Sequence, residues 1–258
     1  MTTDIAWEEW GRRDPYFGVI TNPKFRRTEL TEAARSEFFE SGRVHVDYVL
    51  QMIRQYISPG FQPTSILDFG CGVGRLVVPF SRTAMQVVGL DVSPSMLEEA
   101  KRNCEDFGAS NVQLLVSDDL LSTVDGHYDL IHSFIVFQHI AADRGREIFR
   151  RLLTRLAAGG VGAVHFAYAK TCYAETHGIA PAAPASAPTG GSVSGMVKAW
   201  RASAATRRAD ADPEMQMNPY NLNELLFILQ NAGVHRFHVE FTDHGGELGI
   251  FLFFQTPC

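Results

Sequence analysis

The chain has 258 residues, an apolar content of 45% and a formal net charge of −6. This length suffices for one large domain or two small ones with a substantial core, and the composition is that of a folded globular protein. The negative charge provides no electrostatic footprint for nucleic acid. The four scattered cysteines predict neither a zinc site nor a disulfide framework, and no apolar run is long enough to span a membrane.

The first sixty residues predict a helical segment. Residues 28–58 space their apolar side chains at steps of three and four, which is typical of amphipathic helices. Ser41-Gly42 is expected to divide this stretch into two helices, and Pro59-Gly60 is expected to end the second one. We therefore expect residues 1–60 to form an N-terminal helical cap over the rest of the molecule.

From residue 61 onward, short apolar strands alternate with amphipathic helices. This alternation predicts a parallel sheet with helices on both faces, that is, a doubly wound α/β fold for residues 61–258. Ser93 has the character of a helix N-cap, with Pro94 at the first helical position. The strands are expected at 65–69, 85–91, 112–118, 128–137 and 161–169, and the helices between them at 74–84, 93–108 and 143–156.

The C-terminal part adds a helix at 220–234 and two strands, 236–243 and 248–256. Gly245-Gly246 joins these strands as an antiparallel hairpin at one edge, so the sheet is expected to be seven-stranded and mostly parallel. Residues 170–218 form an insertion after strand five that begins rich in Pro, Ala, Ser and Gly and continues with a helical pattern. We expect a lid here, because ligands bind at the carboxyl edge of such sheets. A tolerated surface insertion is the alternative for its Pro/Ala part.

The run "SILDFGCGVGR", residues 65–75, ends the first predicted strand with three glycines in five positions. Glycines at a strand-to-helix turn let a ligand approach the backbone N–H groups closely. A dinucleotide-binding loop needs the spacing G-x-G-x-x-G, but Arg75 stands where its third glycine would be. This departure disfavours NAD or FAD, and with them a nicotinamide oxidoreductase.

Acidic residues stand at the ends of three consecutive predicted strands around this loop. Asp68 would repel a diphosphate but favours a cationic ligand, and Asp91 is placed to accept hydrogen bonds from ribose hydroxyls. Asp118 could accept from an adenine amino group, with Asp119 as its alternative. Capping of the helix that starts near Ser93 is the structural alternative for Asp91. Together these acids predict a site for an adenosine that carries positive charge.

At this point the sequence resembles the class I S-adenosylmethionine-dependent methyltransferases. The resemblance covers residues 64–166 closely, and it rests on "LDFGCGVGR", "GLDVSPSML", "VSDDL", "YDLIHSFIVFQHI" and "LLTRLAAGGVGAVHF", which occur in the family's order. It implies S-adenosyl-L-methionine as the cofactor and S-adenosyl-L-homocysteine as the product. It also implies methyl transfer to an oxygen or nitrogen of a small-molecule acceptor, such as a specialised metabolite.

The resemblance also implies a set of cofactor contacts. Asp68, Gly70 and Gly72 would line the methionine portion, and Asp91 and Asp118 would hold the ribose and the adenine. The segment at Ser133 would close over the sulfonium. The full set of expected cofactor contacts is Asp68, Gly70, Cys71, Gly72, Gly74, Arg75, Asp91, Val92, Met96, Ser117, Asp118, Asp119, Ser133 and Phe134.

The sequence indicates the residues that contact the acceptor less specifically than those that contact the cofactor. His139, directly after strand four, is the candidate catalytic base, and a structural role at the start of a helix is its alternative. His177 and His244 lie in loops that could face the same pocket, whereas His132, inside strand four, is expected in the core. The aromatic residues expected to contact a small, rather apolar acceptor are Tyr16, Phe17, Tyr168 and Tyr220.

Two rival functions keep the same ligand. One is an S-adenosylmethionine-binding enzyme of non-methylating chemistry, and the other is a non-catalytic cofactor-binding partner protein. The N-terminus "MTTDIAWEEWGRRDPYF" carries acids and has no apolar segment of the kind found in signal peptides. We therefore expect a cytoplasmic protein that acts as a monomer or homodimer, without metal, membrane or nucleic acid.

Overall fold

The computed structural model describes residues 3–180 and 212–258. Within these residues, seven strands form one sheet: Ser65–Phe69 (β1), Gln86–Asp91 (β2), Val112–Val116 (β3), Tyr128–Ser133 (β4), Leu156–Lys170 (β5), Phe237–Asp243 (β6) and Glu247–Gln255 (β7). Their order is β3-β2-β1-β4-β5-β7-β6. Strands β1 to β5 are parallel, and β7 runs antiparallel to both β5 and β6. The predicted fold class is therefore confirmed, including the hairpin at one edge.

Helices cover the sheet on both faces. They span Thr3–Arg13 (α1), Pro15–Val19 (α2), Glu32–Met52 (α3), Val77–Phe80 (α4), Pro94–Asp106 (α5), Ala142–Leu153 (α6) and Leu222–Asn231 (α7). Alternate residues of a strand point to opposite faces, so Ile66 belongs to a core with α3, and Leu67 to a second core with α6 and α7. Strand β1 lies between β2 and β4, where the strand order reverses. Ligands of doubly wound folds bind beside the carboxyl end of the strands at such a point.

The N-terminal helical stretch is one continuous helix instead of the two helices predicted. Helix α3 runs unbroken from Glu32 to Met52 and continues as a π-helical turn over Ile53–Ile57. The expected break at Ser41-Gly42 is wrong. Gly42 serves a close approach instead, because a Cβ atom there would lie 2.2 Å from the backbone oxygen of Arg75 in the glycine-rich loop.

The elements after the first strand also differ in length from the prediction. The helix expected at 74–84 is reduced to α4, and strand four ends at Ser133 instead of residue 137. The chain leaves the sheet there because Ile135 adopts a φ of 58°, which a strand does not contain. Strand β5 is longer than predicted, because it begins at Leu156, which already pairs with Tyr128 of β4. Ser93 does cap α5, and its side chain accepts from the Met96 N–H at 3.1 Å.

The insertion after β5 is described only at its two ends. A 3-10 turn over Thr171–Thr176 follows the strand, and residues 212–218 return to the turn after β4. The helix predicted within the insertion lies outside the described residues. In the part of the chain that the structure describes, no helix is both long and apolar enough to cross a membrane.

Candidate active site

A cavity of about 580 Å³ opens at the carboxyl ends of β1, β2 and β4. This volume lies in the range of small-molecule sites in proteins. Its wall combines the loops after four strands with residues of α1, the segment after α2 and the segment 212–218. The cavity brings together most of the predicted site residues, namely Asp68, Gly70, Cys71, Gly72, Arg75, Asp91, Val92, Met96, Ser117, Asp118, Asp119, Phe134 and His139.

The glycine-rich loop is held in a conformation that side chains would block. Gly70 and Gly72 have φ values of 77° and 52°, in the left-handed region that favours glycine. A Cβ atom on Gly70 would lie 2.4 Å from Cγ2 of Val136. The N–H groups of Gly70 and Cys71 both donate to the Leu90 carbonyl at 2.8 Å, which ties the loop to β2. Burial raises the pKa of the Cys71 thiol well above its ordinary value, so this cysteine is no nucleophile.

Asp91 connects this loop to the start of α5. Its Oδ2 accepts the Gly72 N–H and its Oδ1 accepts the Ser93 N–H, both at 2.9 Å. Asp91 therefore does not take the place of the N-cap, which is Ser93. Burial raises the pKa of Asp91 to about 6, because desolvation disfavours the charged form. The carboxylate is still ionised at neutral pH. Each oxygen keeps a further lone pair that can accept from a ligand in the cavity.

The two acids after β3 have different partners. Asp118 accepts the backbone N–H groups of Leu120 and Ser122, at 3.0 and 2.9 Å, and so fixes its own turn. Asp119 pairs with Arg144 at 2.6 Å, and the same guanidinium reaches Asp4 of α1 at 2.8 Å. All four charged side chains line the cavity. Helix α1 is thus latched across the end of the cavity that faces β3.

Asp68 is only 2% exposed and is the first member of a buried chain of polar groups. Its Oδ1 lies 2.7 Å from Nδ1 of His132, whose Nε2 lies 3.0 Å from Nε2 of His45 on α3. His132 is fully buried, as expected. Burial, followed by the neighbouring His132, holds the pKa of His45 well below its ordinary value, so His45 is neutral at neutral pH.

Arg75 is the cation at this end of the cavity. Burial lowers its pKa to about 10, so the guanidinium stays charged at neutral pH. Its Nη1 donates to Ser41 Oγ at 3.3 Å, and its buried Nε has no hydrogen-bond partner among the described residues. The charge of the nearby Asp68 carboxylate favours the charged form of Arg75 and so raises its pKa. The unpartnered Nε leaves Arg75 a hydrogen-bond donor that an anionic group of a ligand could use.

His139 lies in the cavity wall, in a 3-10 turn over Phe137–His139. Its Nδ1 lies 2.8 Å from the backbone oxygen of Gln216, and its ring packs edge-on against Trp7 with centroids 4.9 Å apart. Burial lowers the pKa of His139, so the imidazole is neutral at neutral pH. Its backbone oxygen accepts from Thr3 Oγ1 at 3.1 Å, across 136 residues of sequence.

An aromatic wall lies between His139 and the hairpin of β6 and β7. The Phe134 ring lines the cavity, and its centroid lies 4.3 Å from that of His45, 5.1 Å from that of His165 and 5.8 Å from that of His244. Burial holds the pKa of each of these three histidines below its ordinary value. The imidazoles around Phe134 are therefore neutral, and one of them, His244, also lines the cavity. Ile135, the next residue, is strained at its positive φ, as backbone at functional sites often is.

Two predicted cofactor contacts lie away from the cavity lining. Ser133 is fully buried, and its hydroxyl donates to the backbone oxygen of Phe69 at 2.9 Å. It therefore ties β4 to the end of β1. Gly74 has a φ of 85°, and a Cβ atom there would meet Val77 and Ala100 of the packed helices. Its role is to let the loop turn against α5.

The four aromatic residues predicted to contact the acceptor also lie outside the cavity lining. Tyr16 is buried, with its hydroxyl 2.9 Å from a Glu99 oxygen and 2.8 Å from the Asn103 side-chain oxygen. Phe17 stacks under the Arg26 guanidinium, 3.5 Å from its ring centroid. Tyr168 packs on the second core, and Tyr220 is buried there with its hydroxyl 2.9 Å from the Ile140 carbonyl. These side chains hold the covering helices and the core together.

Several residues of the cavity wall carry no signal in the sequence. Asp4 and Arg144 meet across 140 residues, and Gln138 and His139 meet the segment 212–218 across about 80. No local motif marks such pairs. His244, a further candidate from the sequence, does line the cavity, together with Met215 and Met217. The sequence signal for His244 was its position in a loop, next to Gly245-Gly246.

Residues 66–160 match the family model described as a methyltransferase domain. An uncharacterized methyltransferase of Synechocystis is 33% identical over 108 residues, which is 42% of this chain and 48% of the relative. The ubiquinone biosynthesis O-methyltransferase of Cereibacter sphaeroides is 28% identical over 102 residues, 37% of this chain and 41% of the relative. The chain thus spans less than half of the length of these curated relatives.

A solved structure of magnesium protoporphyrin IX methyltransferase from Synechocystis, with bound S-adenosylmethionine, shares the fold. It superposes with a TM-score of 0.60 at 15% identity, covering 99% of this chain and 98% of the other. Residues 66–160 are therefore similar to a methyltransferase domain, and the chain has the fold of this S-adenosylmethionine-bound methyltransferase structure. This confirms the predicted resemblance.

Proposed function

We propose that this protein binds S-adenosyl-L-methionine in the cavity and transfers its methyl group to an oxygen or nitrogen of a small-molecule acceptor. The observation that carries the proposal is the position of Asp91. Its carboxylate lies at the carboxyl end of β2, beside the cavity, and is fixed there by the N–H groups of Gly72 and Ser93. A carboxylate at this point of a doubly wound sheet is placed to accept from both hydroxyls of a ribose.

The donor set fits this cofactor. The cavity wall offers carboxylates to a ligand with an ammonium and a sulfonium. To the methionine carboxylate it offers Arg75, whose Nε has no hydrogen-bond partner among the described residues. Gly70 and Gly72 leave the backbone bare beside Asp68, at the methionine end. Asp118 and Ser117 lie at the adenine end, where Asp118 still has free lone pairs. Phe134 supplies an apolar surface near the centre.

The chemistry needs little more than placement. When bound, S-adenosylmethionine supplies a methyl carbon on a positively charged sulfur, which keeps the C–S electron pair as the acceptor lone pair forms the new bond. The acceptor oxygen or nitrogen then loses its proton to solvent. Orienting two reactants in line can supply roughly 7–11 kcal/mol of the barrier reduction. The chain's contribution is thus to hold the cofactor and to place the acceptor atom in line with its methyl group.

A small acceptor fits the way in which the cavity is covered. Helix α1 is latched by Arg144 and by the contact of Thr3 with the His139 carbonyl, and Met215 and Met217 cover another side. We propose that residues 1–60 act as the cover of a catalytic domain formed by residues 61–258, with the insertion 170–218 as a lid. The net charge of −6 supports an acceptor other than nucleic acid, and we propose a cytoplasmic monomer or homodimer.

Transfer of a labelled methyl group tests this function. The protein is incubated with S-adenosylmethionine that carries a trideuterated methyl group and with fractionated extracts of small molecules, protein and RNA. We expect label in a small molecule, with one S-adenosylhomocysteine formed for each labelled product. Cofactor consumption without S-adenosylhomocysteine would support the non-methylating alternative, and binding without consumption would support a non-catalytic partner protein.

A further inference from the structure

Gln138 occupies an unusual position in the cavity wall. Its side chain is only 5% exposed, yet it lines the cavity, and its Oε1 is buried with no hydrogen-bond partner among the described residues. Its backbone oxygen accepts the N–H of Asn218 at 2.7 Å and the Asn218 side-chain amide at 3.2 Å. The residue is therefore held in place by the segment 212–218, while one polar atom of its side chain has nothing to bind.

The protonation of His139 can be assigned from its neighbours. Nδ1 lies 2.8 Å from the Gln216 carbonyl oxygen, and a carbonyl oxygen only accepts, so the ring proton is on Nδ1. Burial lowers the pKa of His139, which makes the ring neutral at neutral pH. A neutral imidazole carries a single N–H. Nε2 of His139 is therefore an acceptor.

This assignment fixes the orientation of the Gln138 amide. The Nε2 of Gln138 lies 3.4 Å from Nε2 of His139 and 3.7 Å from the sulfur of Met217. Both of these atoms are acceptors, so the NH2 group of Gln138 must face them. A flipped amide would place Oε1 against two lone pairs. The unpartnered atom is therefore the carbonyl oxygen, an acceptor.

We propose, on the basis of the proposed function, that Gln138 Oε1 binds the methyl acceptor by accepting a hydrogen bond from its O–H or N–H group. His139 is then a positioning residue that holds the amide, rather than the catalytic base that the sequence predicts. A buried carbonyl without a donor is unfavourable. A protic acceptor removes that cost and an aprotic one does not, so the site selects alcohols, phenols, amines or amides.

Paired probes test this selection. Phenol is compared with anisole, and aniline with N,N-dimethylaniline, because each pair differs in the hydrogen-bond donor. Dissociation constants are measured by ligand-observed NMR with and without saturating S-adenosylhomocysteine. We expect the protic member of each pair to bind about five- to tenfold more tightly, the effect of one hydrogen bond of about 1 kcal/mol. Equal binding of both members to the wild-type protein would contradict the proposal.

Three variants assign the preference to Gln138. Gln138→Met keeps the length of the side chain without its acceptor, and we expect the ratio of dissociation constants within each pair to fall to about one. His139→Leu removes the acceptor that orients the amide, and we expect it to lose the same preference. His139→Gln offers an amide oxygen to the Gln138 N–H and should retain it. A preserved ratio in Gln138→Met would overturn the proposal.

Two controls separate this proposal from its premise. Gln230→Met changes an exposed glutamine of α7 and should leave every ratio unchanged. Affinity for S-adenosylhomocysteine is measured on each variant and should not change. Failure of the wild-type protein to bind S-adenosylhomocysteine would contradict the proposed function alone, because the probe ratios are also measured without it.

The tautomer can be observed directly in ¹⁵N-histidine spectra. The wild-type protein should show His139 as the Nδ1–H tautomer, and a Gln138→Glu variant should raise the pKa of His139, because a carboxylate beside Nε2 favours the imidazolium. An Nε2–H tautomer in the wild-type protein would overturn the assignment of the free carbonyl oxygen. An unchanged pKa of His139 in Gln138→Glu would show that this side chain does not face Nε2, and would contradict the proposed contact.

Discussion

The two ends of the cavity hold their polar groups in different ways. At the end formed by β1, β2 and α5, the backbone N–H of Gly72 in the glycine-rich loop donates to Asp91, nineteen residues away. At the end formed by Gln138 and His139, the contacts come from α1 and residues 212–218, 136 and 77 residues away in sequence. The first end is fixed by the sheet itself, whereas the second depends on segments that must dock. Substitutions at the two ends should therefore affect different properties, cofactor affinity at one and acceptor binding at the other.

The largest expected effect concerns the support of the glycine-rich loop by α3. Gly42→Ala should destabilise the protein by about 1–3 kcal/mol, because its Cβ atom would lie 2.2 Å from a backbone oxygen that cannot rotate away. Alanine in an exposed helix interior would instead stabilise by about 1 kcal/mol. Urea unfolding measures the change. Gly60→Ala, with nothing within 4 Å of its Cβ atom, is the control. Equal effects of the two would mean that α3 does not press on the loop.

The pH dependence of cofactor affinity tests the end of the cavity that contains Asp91. The pKa of Asp91 is raised to about 6. In the proposed function, the ribose hydroxyls donate to its ionised form. Affinity for S-adenosylhomocysteine should therefore be constant above pH 7 and fall about tenfold per pH unit below pH 6. Calorimetry between pH 7.5 and 5 measures it. The residual affinity of Asp91→Asn should show no such dependence, and a flat wild-type profile would contradict the role of this carboxylate.

Tyr220 tests whether the aromatic side chains act in packing or in binding. Tyr220→Phe removes the hydrogen bond to the Ile140 carbonyl, and we expect a loss of about 1 kcal/mol of stability in urea unfolding. The affinity for phenol should not change, because the ring lies in the second core. A variant of unchanged stability with weakened phenol binding would restore the contact that the sequence predicts.

The smallest expected effect is that of the latch on α1. Arg144→Gln removes the ion pairs to Asp4 and Asp119, which are partly exposed and therefore contribute less than about 1 kcal/mol each. S-adenosylhomocysteine should dissociate about threefold faster, and the difference should shrink at high salt. Stopped-flow displacement measures the rate. Arg150→Gln, which loses only an exposed pair with Glu147, should dissociate at the wild-type rate. Equal rates in both variants would exclude a latch.

The sequence predicted the first end of the cavity far better than the second. Its features are local patterns, in which one short stretch determines both structure and position. They are strand β1, the glycine-rich loop, the N-cap Ser93 and Asp91 at the end of β2. Strand four was predicted too long because apolar residues continue beyond Ser133, and only the backbone of Ile135 shows that the chain turns there. The helix break predicted at Gly42 is wrong, because glycine occurs at close contacts as well as at helix ends. The contact of Gly42 is with the backbone of Arg75, on another segment of the chain.

The arrangement of side chains at the end of the cavity formed by Gln138 and His139 was not predictable, for a physical reason. Its side chains meet only after α1 and residues 212–218 have packed against the turn after β4. Tyr16 and Tyr220 were predicted at the site because aromatic residues suit both a pocket and a core, and composition does not separate the two. Gln138 gave no signal, because its importance follows from the tautomer of His139 and from the Gln216 carbonyl.

A calorimetric titration with S-adenosylhomocysteine tests the central claim most directly. It is made on the wild-type protein, on Asp91→Asn and on the exposed-site control Asp47→Asn, with NADH as the comparison ligand. The account predicts micromolar binding to the wild type and the control, a loss of about 100-fold in Asp91→Asn from weakened charge-assisted hydrogen bonds, and no binding of NADH. Absence of S-adenosylhomocysteine binding to the wild-type protein, or binding that Asp91→Asn leaves unchanged, would contradict it.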